Sequence, residues 1–238
     1  MARLDALGIA GLLLGVALAA TPARADPRPV VVELFTSQGC SSCPPADALL
    51  RELAPRPDVL ALGYHISYWD RLGWKDPLSS EASTARQKAY AGRFNGGQVY
   101  TPQIVVDGTR EMVGSDRAAV LAAIAAARPK AVAPVSFAAD RRSVAVGGAV
   151  GGAVGGGAGE VVLVRFLAQR TTAVAAGENA GRTAQDANGV DALQVLGRWE
   201  GAARDFTIDP PGPGEGLAVL VQAPDGRMLG AALSQPAG

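Results

Sequence analysis

Apolar runs alternate with helical periodicity along the first 130 residues of the chain. Residues 30–35 and 59–66 are short, continuous apolar runs, which indicate buried strands. Between them, residues 43–53 carry apolar side chains at helical spacing, and two prolines then end the predicted helix. Residues 78–94 are polar and permit a helix. The pattern therefore predicts a β-α-β unit followed by a helical insertion.

A hairpin and a last helix complete this first part. Residues 103–106 and 110–113 are strand-like, and the Asp-Gly pair at 107–108 between them is a strong turn signal. Asp116 is placed to cap a helix whose apolar residues again recur at helical spacing. The first part is thus predicted to end β-β-α.

Helical periodicity largely disappears after residue 130, and short β-like runs separated by Gly and Pro replace it. Such runs indicate a small β-sandwich. The Gly-rich stretch 147–159 predicts a flexible hairpin tip; no Lys-Ser/Thr follows it, which excludes a phosphate-binding loop of the Walker type. We therefore predict an α/β domain over residues 26–130 and a smaller β-rich, sandwich-like domain over 131–238. The β-like runs are 135–137, 143–146, 161–166, 205–208 and 217–221.

The net charge and the N-terminal residues indicate which partners and which cellular compartment to expect. The 238 residues include 22 basic and 22 acidic side chains, and zero net charge argues against a nucleic-acid partner. Residues 1–25 resemble a secretory signal peptide, with Arg3, an apolar core over 7–20 and a small-x-small cleavage site at Ala25. The apolar core is short for a membrane anchor. We therefore expect a soluble mature protein, periplasmic or secreted, where a disulfide persists.

The only two cysteines, Cys40 and Cys43, form a C-x-x-C between the first strand and the first helix. A helix N-terminus stabilises a thiolate, which is the attacking species in thiol–disulfide exchange. Cys40 is the expected nucleophile and the more exposed sulfur, and Cys43 is the expected resolving thiol. The alternative is a structural disulfide, although so small a loop removes little unfolded-state entropy. Two Cys and one His are too few for a tetrahedral metal site, so no metal or cofactor is expected.

The dipeptide Thr101-Pro102 adds a second feature, because X-Pro is the common place for a cis peptide bond and this one directly precedes a predicted strand. Together with the dithiol and the β-β-α ending, it makes residues 30–127 resemble the thioredoxin fold. That resemblance implies that Pro102 lies in a cis-proline loop against the dithiol. It also implies that Thr101 offers backbone groups to a bound peptide.

Four longer strings resemble a family of exported bacterial proteins known as domain of unknown function 1223. The resemblance covers nearly the whole mature chain and implies a thioredoxin-like N-terminal half, with no established substrate. The strings are residues 32–47, 68–77, 99–103 and 177–183.

Two polar residues in the predicted strands are further candidates. Glu33 is the one charged residue in its apolar strand and lies close to where thioredoxin-like proteins carry a buried acid, so we expect it to take or relay the proton of Cys43. The alternative is a solvated glutamate at the sheet edge. His65, the only histidine, is interpreted as a structural residue; the alternative is a donor to substrate or to the loop at Trp69.

Trp69 and Trp74 cluster in the helical insertion. They are predicted to form part of a peptide-binding groove beside the dithiol, or else to pack the insertion onto the sheet.

The leading hypothesis is an exported thiol–disulfide oxidoreductase that acts on protein or peptide thiols and disulfides, with a membrane redox partner among its candidate partners. The alternative is a binding module for a peptide, a lipid or a metal, with a permanent disulfide and no turnover. A third interpretation, copper delivery, would need His65 or Met112 as a further ligand. Oligomeric state is left open by the sequence.

Overall fold

The first part of the chain folds as β-α-β, helix, β-β-α. The computed structural model describes residues 28–94, 96–127, 132–150 and 157–236. The observed bounds confirm the predicted elements of this part, with ends displaced by at most a few residues. They are β1 (Val30–Thr36), α1 (Pro44–Leu53), β2 (Val59–His65), a 3-10 helix (Ser67–Leu72), α2 (Glu81–Phe94), β3 (Gln103–Val106), β4 (Arg110–Val113) and α3 (Arg117–Ala126).

The second part contributes strands, two of them much longer than the sequence pattern indicates. The 17-residue strand β8 has no predicted counterpart, and β7 extends well beyond the predicted run 161–166. The predicted tip at 147–159 lies partly outside the described residues. The strands are β5 (Val135–Phe137), β6 (Ser143–Val146), β7 (Gly159–Ala173), β8 (Thr183–Trp199), β9 (Arg204–Thr207), β10 (Glu215–Gln222) and β11 (Met228–Ser234).

The strands form a mixed eight-stranded sheet in the order β11-β10-β7-β8-β2-β1-β3-β4, and a three-stranded antiparallel sheet in the order β5-β6-β9. Four strands of the second part therefore continue the sheet of the first, instead of closing into a sandwich of their own as predicted. The physical reason is the free edge of β2, which β8 joins in parallel at Gly63 and Gly189. A Cβ on Gly63 would approach the Leu50 side chain to 3.2 Å and the backbone oxygen of Ala187 to 3.3 Å, so this junction favours a glycine.

The large sheet is buried on both faces around β1. Val32 and Leu34 belong to a core cluster with α1 and α3, whereas Val31 and Phe35 belong to a second cluster with Tyr90 of α2. Burial on both faces explains why β1 and β2 appear as unbroken apolar runs. A third cluster joins the small sheet to β7 and β10.

Two sequence predictions fall on residues that the structure does not describe. The signal peptide at 1–25 is one, and the predicted domain boundary near residue 130 is the other, so both stay predictions. Among the described residues, no helix has the length and apolar character needed to cross a membrane.

Candidate functional site

Cys40 and Cys43 form a disulfide at the entrance to α1, as the sequence predicts. Cys43 caps the helix, and its carbonyl accepts hydrogen bonds from the backbone N–H groups of Ala46 (2.9 Å) and Asp47 (3.1 Å). Cys40 lies in the preceding tight loop, where its N–H donates to the carbonyl of Ser37 at 3.1 Å. The dithiol thus lies at the positive end of a ten-residue helix.

Both cysteines are fully buried, at 0% exposure each, while the two serines between them are exposed. The expectation that Cys40 is the more exposed of the pair is therefore wrong for the oxidised protein. The reason is that residues far apart in the chain pack over the loop before α1, which local periodicity does not reveal.

The Thr101–Pro102 peptide bond is cis, and Thr101 lies against the disulfide. The hydroxyl of Thr101 donates to Cys40 Sγ at 3.4 Å. Ser42 Oγ lies 3.3 Å from Cys40 Sγ and 3.5 Å from the carbonyl oxygen of Thr101. The structure therefore brings the predicted nucleophile and the cis-proline loop together.

The two tryptophans of the insertion reach the dithiol by different routes. Trp69 Nε1 donates to Thr101 Oγ1 at 2.8 Å, so an uninterrupted chain of contacts runs from Trp69 through Thr101 to Cys40 Sγ. Trp74 Nε1 instead donates to Gln38 Oε1 at 3.2 Å, in the loop before Cys40. Trp69 therefore reaches Cys40 through Thr101, and Trp74 binds the loop that carries Cys40.

His65 is the centre of a buried charged cluster behind this loop. Its Nδ1 lies 2.7 Å from Asp76 Oδ2, and its Nε2 lies 3.7 Å from Asp186 Oδ1. Burial by itself lowers the pKa of His65, but the charge and hydrogen bond of Asp76, with the charges of Asp186 and Asp47, raise it to about 9. The structural interpretation of His65 agrees with this arrangement, in which its two nitrogens face carboxylates.

Gln38 connects this cluster to the dithiol loop. Its backbone N–H donates to Asp76 Oδ2 at 2.7 Å, and its side-chain Nε2 donates to Asp186 Oδ2 at 2.7 Å. Asn179 Nδ2 donates to the carbonyls of Gln38 (2.9 Å) and Cys40 (2.8 Å). Sequence reasoning missed these roles because Asp186 and Asn179 lie more than 130 positions further along the chain, on and beside the unpredicted strand β8.

Asp47 provides a half-buried acid one helical turn after Cys43. Thr36 Oγ1 donates to Asp47 Oδ1 at 2.7 Å. Loss of hydration raises the pKa of Asp47 to about 7, although the Thr36 hydrogen bond and the charge of His65 oppose the shift. Asp47 also lines a cavity of about 130 Å³ that Gln38 and Asn179 share. The carboxyl can therefore change protonation state near neutral pH.

Glu33 lies on the other face of the sheet from α1. Its side chain lies on the same face of β1 as those of Val31 and Phe35. Its carboxylate accepts hydrogen bonds from Arg86 Nε (2.5 Å) and from the Tyr90 hydroxyl. Glu33 therefore does not lie beneath the dithiol as predicted, because one face of β1 packs against α1 and the face that carries Glu33 packs against α2. The described structure gives Glu33 contacts in the core cluster of α2, and Asp47 is the acid on the dithiol side.

The ligands considered for a copper site are not gathered around the cysteines. Met112 packs against the α1–α3 core cluster, and His65 is engaged with Asp76. Over the described ranges, no group of three or more His, Cys, Asp or Glu side chains is arranged to hold a metal ion.

The sequence matches a family model, and the fold matches solved structures. The model of a family described as "Protein of unknown function (DUF1223)" matches residues 31–222. A crystal structure of a protein from Agrobacterium tumefaciens shares 31% identity, with 91% of this chain and 96% of that chain covered and a TM-score of 0.71. HBP35 of Porphyromonas gingivalis shares the fold at 13% identity, covering 88% and 76% with a TM-score of 0.58. No curated protein matches the chain.

Proposed function

The chain belongs to the DUF1223 family, and from this premise we propose that it is a thioredoxin-like thiol–disulfide oxidoreductase. One observation carries the proposal: the contact chain in which Trp69 donates to Thr101 and Thr101 donates to Cys40 Sγ. A disulfide that only cross-links the chain has no need of a polar group directed at one particular sulfur. Here the sulfur so contacted is the one expected to be the nucleophile.

The arrangement of the first part supports the thioredoxin-like assignment. The strand order β2-β1-β3-β4 combines a parallel β1–β2 pair with antiparallel β3 and β4. Helices α1 and α3 pack on one face of this sheet, and α2 packs on the other. The dithiol precedes α1 and the cis-proline precedes β3, which are the two positions that the resemblance implies.

In the proposed reaction, the thiolate of reduced Cys40 attacks one sulfur of a substrate disulfide. A mixed disulfide forms, and the other substrate sulfur leaves as a thiolate. Cys43 then gives up its proton and attacks Cys40 Sγ, which re-forms the Cys40–Cys43 bond and releases the second substrate thiolate. The protein has lost two electrons and the substrate has gained two; the reverse sequence oxidises a substrate dithiol.

Thr101, Pro102 and Trp69 are proposed to bind the substrate chain beside Cys40. The half-buried Trp69 contacts Thr101, beside which its ring would offer the substrate an apolar surface, and Thr101 would present its backbone at the cis-proline loop. Trp74 is proposed to act through Gln38, since its indole N–H is already bonded there. The substrates are exported protein or peptide thiols and disulfides, which matches the proposed location after cleavage behind Ala25.

We expect Asp47→Asn to slow exchange and stabilise the fold at the same time. An aspartate with a pKa of about 7 is proposed to accept the Cys43 proton, so its loss should cost roughly 100-fold in rate and remove a pH dependence centred near 7. The asparagine oxygen still accepts the Thr36 hydrogen bond.

The stability effect follows from the direction of the pKa shift. The folded-state pKa of Asp47, about 7, lies above the ordinary value of 3.8, so the folded chain binds more protons between these values. Wild-type stability from this group is present at low pH and is lost as pH rises towards 7. Urea unfolding of Asp47→Asn at pH 5 and pH 8 should show the larger gain at pH 8. Equal exchange rates for both proteins at all pH values would contradict the role of Asp47.

A single-turnover reaction tests the proposed function. The protein is reduced with dithiothreitol, freed of reductant without oxygen, and mixed with excess disulfide peptide. We expect one peptide disulfide consumed and two peptide thiols released per protein, with the Cys40–Cys43 disulfide re-formed. If the protein thiols persist and no peptide thiol appears, the oxidoreductase proposal is wrong.

The second candidate is a binding module with a permanent disulfide. The observation that favours it is the complete burial of Cys40 and Cys43, which protects both sulfurs in the oxidised protein. Treatment with millimolar glutathione separates the two functions. A binding module keeps its disulfide intact, whereas an oxidoreductase exchanges it with the glutathione pool.

A further inference from the structure

The loop that joins β7 to β8 contacts the dithiol loop, although the two are more than 130 residues apart in the sequence. Asn179 is buried, and its Nδ2 donates to the carbonyls of Gln38 and Cys40. The neighbouring Glu178 is exposed, and its Oε2 accepts a hydrogen bond from the backbone N–H of Ser41 at 3.0 Å. Two consecutive residues therefore bind backbone groups before and after the Cα of Cys40.

The same loop has an ordered backbone of its own. Val174 N–H donates to the carbonyl of Arg182, and Gly181 N–H donates to the carbonyl of Val174, each at 2.9 Å. Gly177 has a φ of 75°, and a Cβ there would approach Trp74 Cβ to 3.1 Å, so a glycine is needed against the insertion. The loop is thus held at both the insertion and the dithiol, which fixes the position of the Glu178 carboxylate.

We propose that Glu178 is a positioning residue that makes the Cys40 thiolate more basic and so lowers the reduction potential of the dithiol. This inference rests on the proposed function. The carboxylate places a negative charge at the peptide group directly after Cys40 and occupies the Ser41 N–H. Both effects oppose formation of a thiolate at Cys40, because a like charge and a lost donor each disfavour the charged form.

The effect of Glu178 on the reduction potential depends on how its charge changes the stability of the reduced dithiol relative to the disulfide. Reduction adds two electrons to the Cys40–Cys43 bond and leaves two sulfurs that are held as thiol or thiolate. A group that disfavours the thiolate makes the reduced state less stable, whereas the disulfide carries no charge for it to repel. Glu178 therefore shifts the dithiol towards the oxidised state and towards the behaviour of a reductant.

Other titratable and charged groups lie around the dithiol loop, and a test of Glu178 must leave these groups unaltered. Most of them lie behind Gln38 or on α1 and form the buried cluster already described. Glu178 differs from the buried members of this set in being exposed, so its charge can be removed without leaving a buried partner uncompensated. The other groups are Asp47 and Arg51 from α1, His65 from β2, Tyr68 and Asp76 from the insertion, Arg182 from the same loop as Glu178, and Asp186 from β8.

Glu178→Gln tests the proposal, because glutamine keeps an oxygen for the Ser41 N–H and removes only the charge. The reduced protein is alkylated with iodoacetamide between pH 5 and pH 9, and modification of Cys40 is followed by peptide mass spectrometry. We expect alkylation of Cys40 below its apparent pKa to become about threefold to tenfold faster. Glu200→Gln, at a 75% exposed side chain near the end of β8, is the matched control and should match the wild type.

A second readout is equilibration of each protein with a glutathione redox buffer. The reduced form of Glu178→Gln should be favoured by a similar factor, and a tenfold change corresponds to about 30 mV. Salt at 1 M should shrink both effects, since the charge is exposed to screening. A pH profile of Glu178→Gln that equals that of Glu200→Gln would overturn the proposal. Alkylation needs no substrate turnover, so this outcome is distinct from failure of the single-turnover reaction.

Discussion

We expect Cys40→Ser to reduce thiol–disulfide exchange to the uncatalysed background, and Cys43→Ser to accumulate mixed disulfides with its substrates. The proposed attack begins at Cys40, the sulfur that Thr101 contacts, and a serine hydroxyl is not ionised at neutral pH. Without Cys43, the mixed disulfide has no neighbouring thiolate to resolve it. Insulin-disulfide reduction measures the first effect, and non-reducing electrophoresis with mass spectrometry measures the second.

The roles of Cys40 as nucleophile and Cys43 as resolving thiol can be tested directly with a control variant. The double variant Cys40→Ser/Cys43→Ser serves as the control and should trap nothing. If Cys40→Ser retained the wild-type rate of insulin reduction, the proposed mechanism would be wrong. If Cys40→Ser trapped partners and Cys43→Ser did not, the roles of nucleophile and resolving thiol would be reversed.

We expect Glu33→Ala to lower the free energy of unfolding by about 3–5 kcal/mol, the usual effect of removing one partner from a buried ion pair. Glu33 is 0% exposed and binds both Arg86 and Tyr90, so the substitution leaves a guanidinium whose side chain is only 11% exposed without its counter-charge. The guanidinium also lies 5.4 Å from the ring centroid of Tyr90, which holds it in place. Urea unfolding followed by tryptophan fluorescence measures the loss.

The double variant Glu33→Leu/Arg86→Leu separates lost attraction from uncompensated charge. Because it removes both charges, it should be more stable than Glu33→Ala. A loss below about 1 kcal/mol for Glu33→Ala would show that the pair is not buried as described. Under conditions where Glu33→Ala stays folded, its exchange rate should keep the wild-type pH profile, in contrast to that of Asp47→Asn.

The first part of the fold could be predicted because its signals are local. Residues 30–35 and 59–66 are continuous apolar runs, and an Asp-Gly pair marks the hairpin. The same signals do not tell which face of β1 receives α1. Alternation groups Glu33 with Val31 and Phe35, but only packing decides that this face meets α2. The cis-proline loop therefore lies against Cys40, as the resemblance implies, whereas Glu33 lies on the face of β1 that packs against α2.

The rest of the site depends on contacts that local patterns cannot encode. Strand β8 contains Asp186, Asn188 and Gly189 in its buried half, where an apolar run would have been expected of a central strand. These residues are buried because β8 lies between β7 and β2 and beneath α1. The loop before β8 then brings Asn179 to the dithiol. Its string at 177–183 was recognisable as a family feature, but no property of the string indicated its partner.

The reduction potential of the Cys40–Cys43 pair tests the central claim most directly. Equilibration with glutathione or dithiothreitol, followed by alkylation and mass spectrometry, gives the value. We predict a potential between about −120 and −270 mV, with the less negative end indicating an oxidant or isomerase and the more negative end a reductant. A potential below about −300 mV would identify a structural disulfide and contradict the oxidoreductase function.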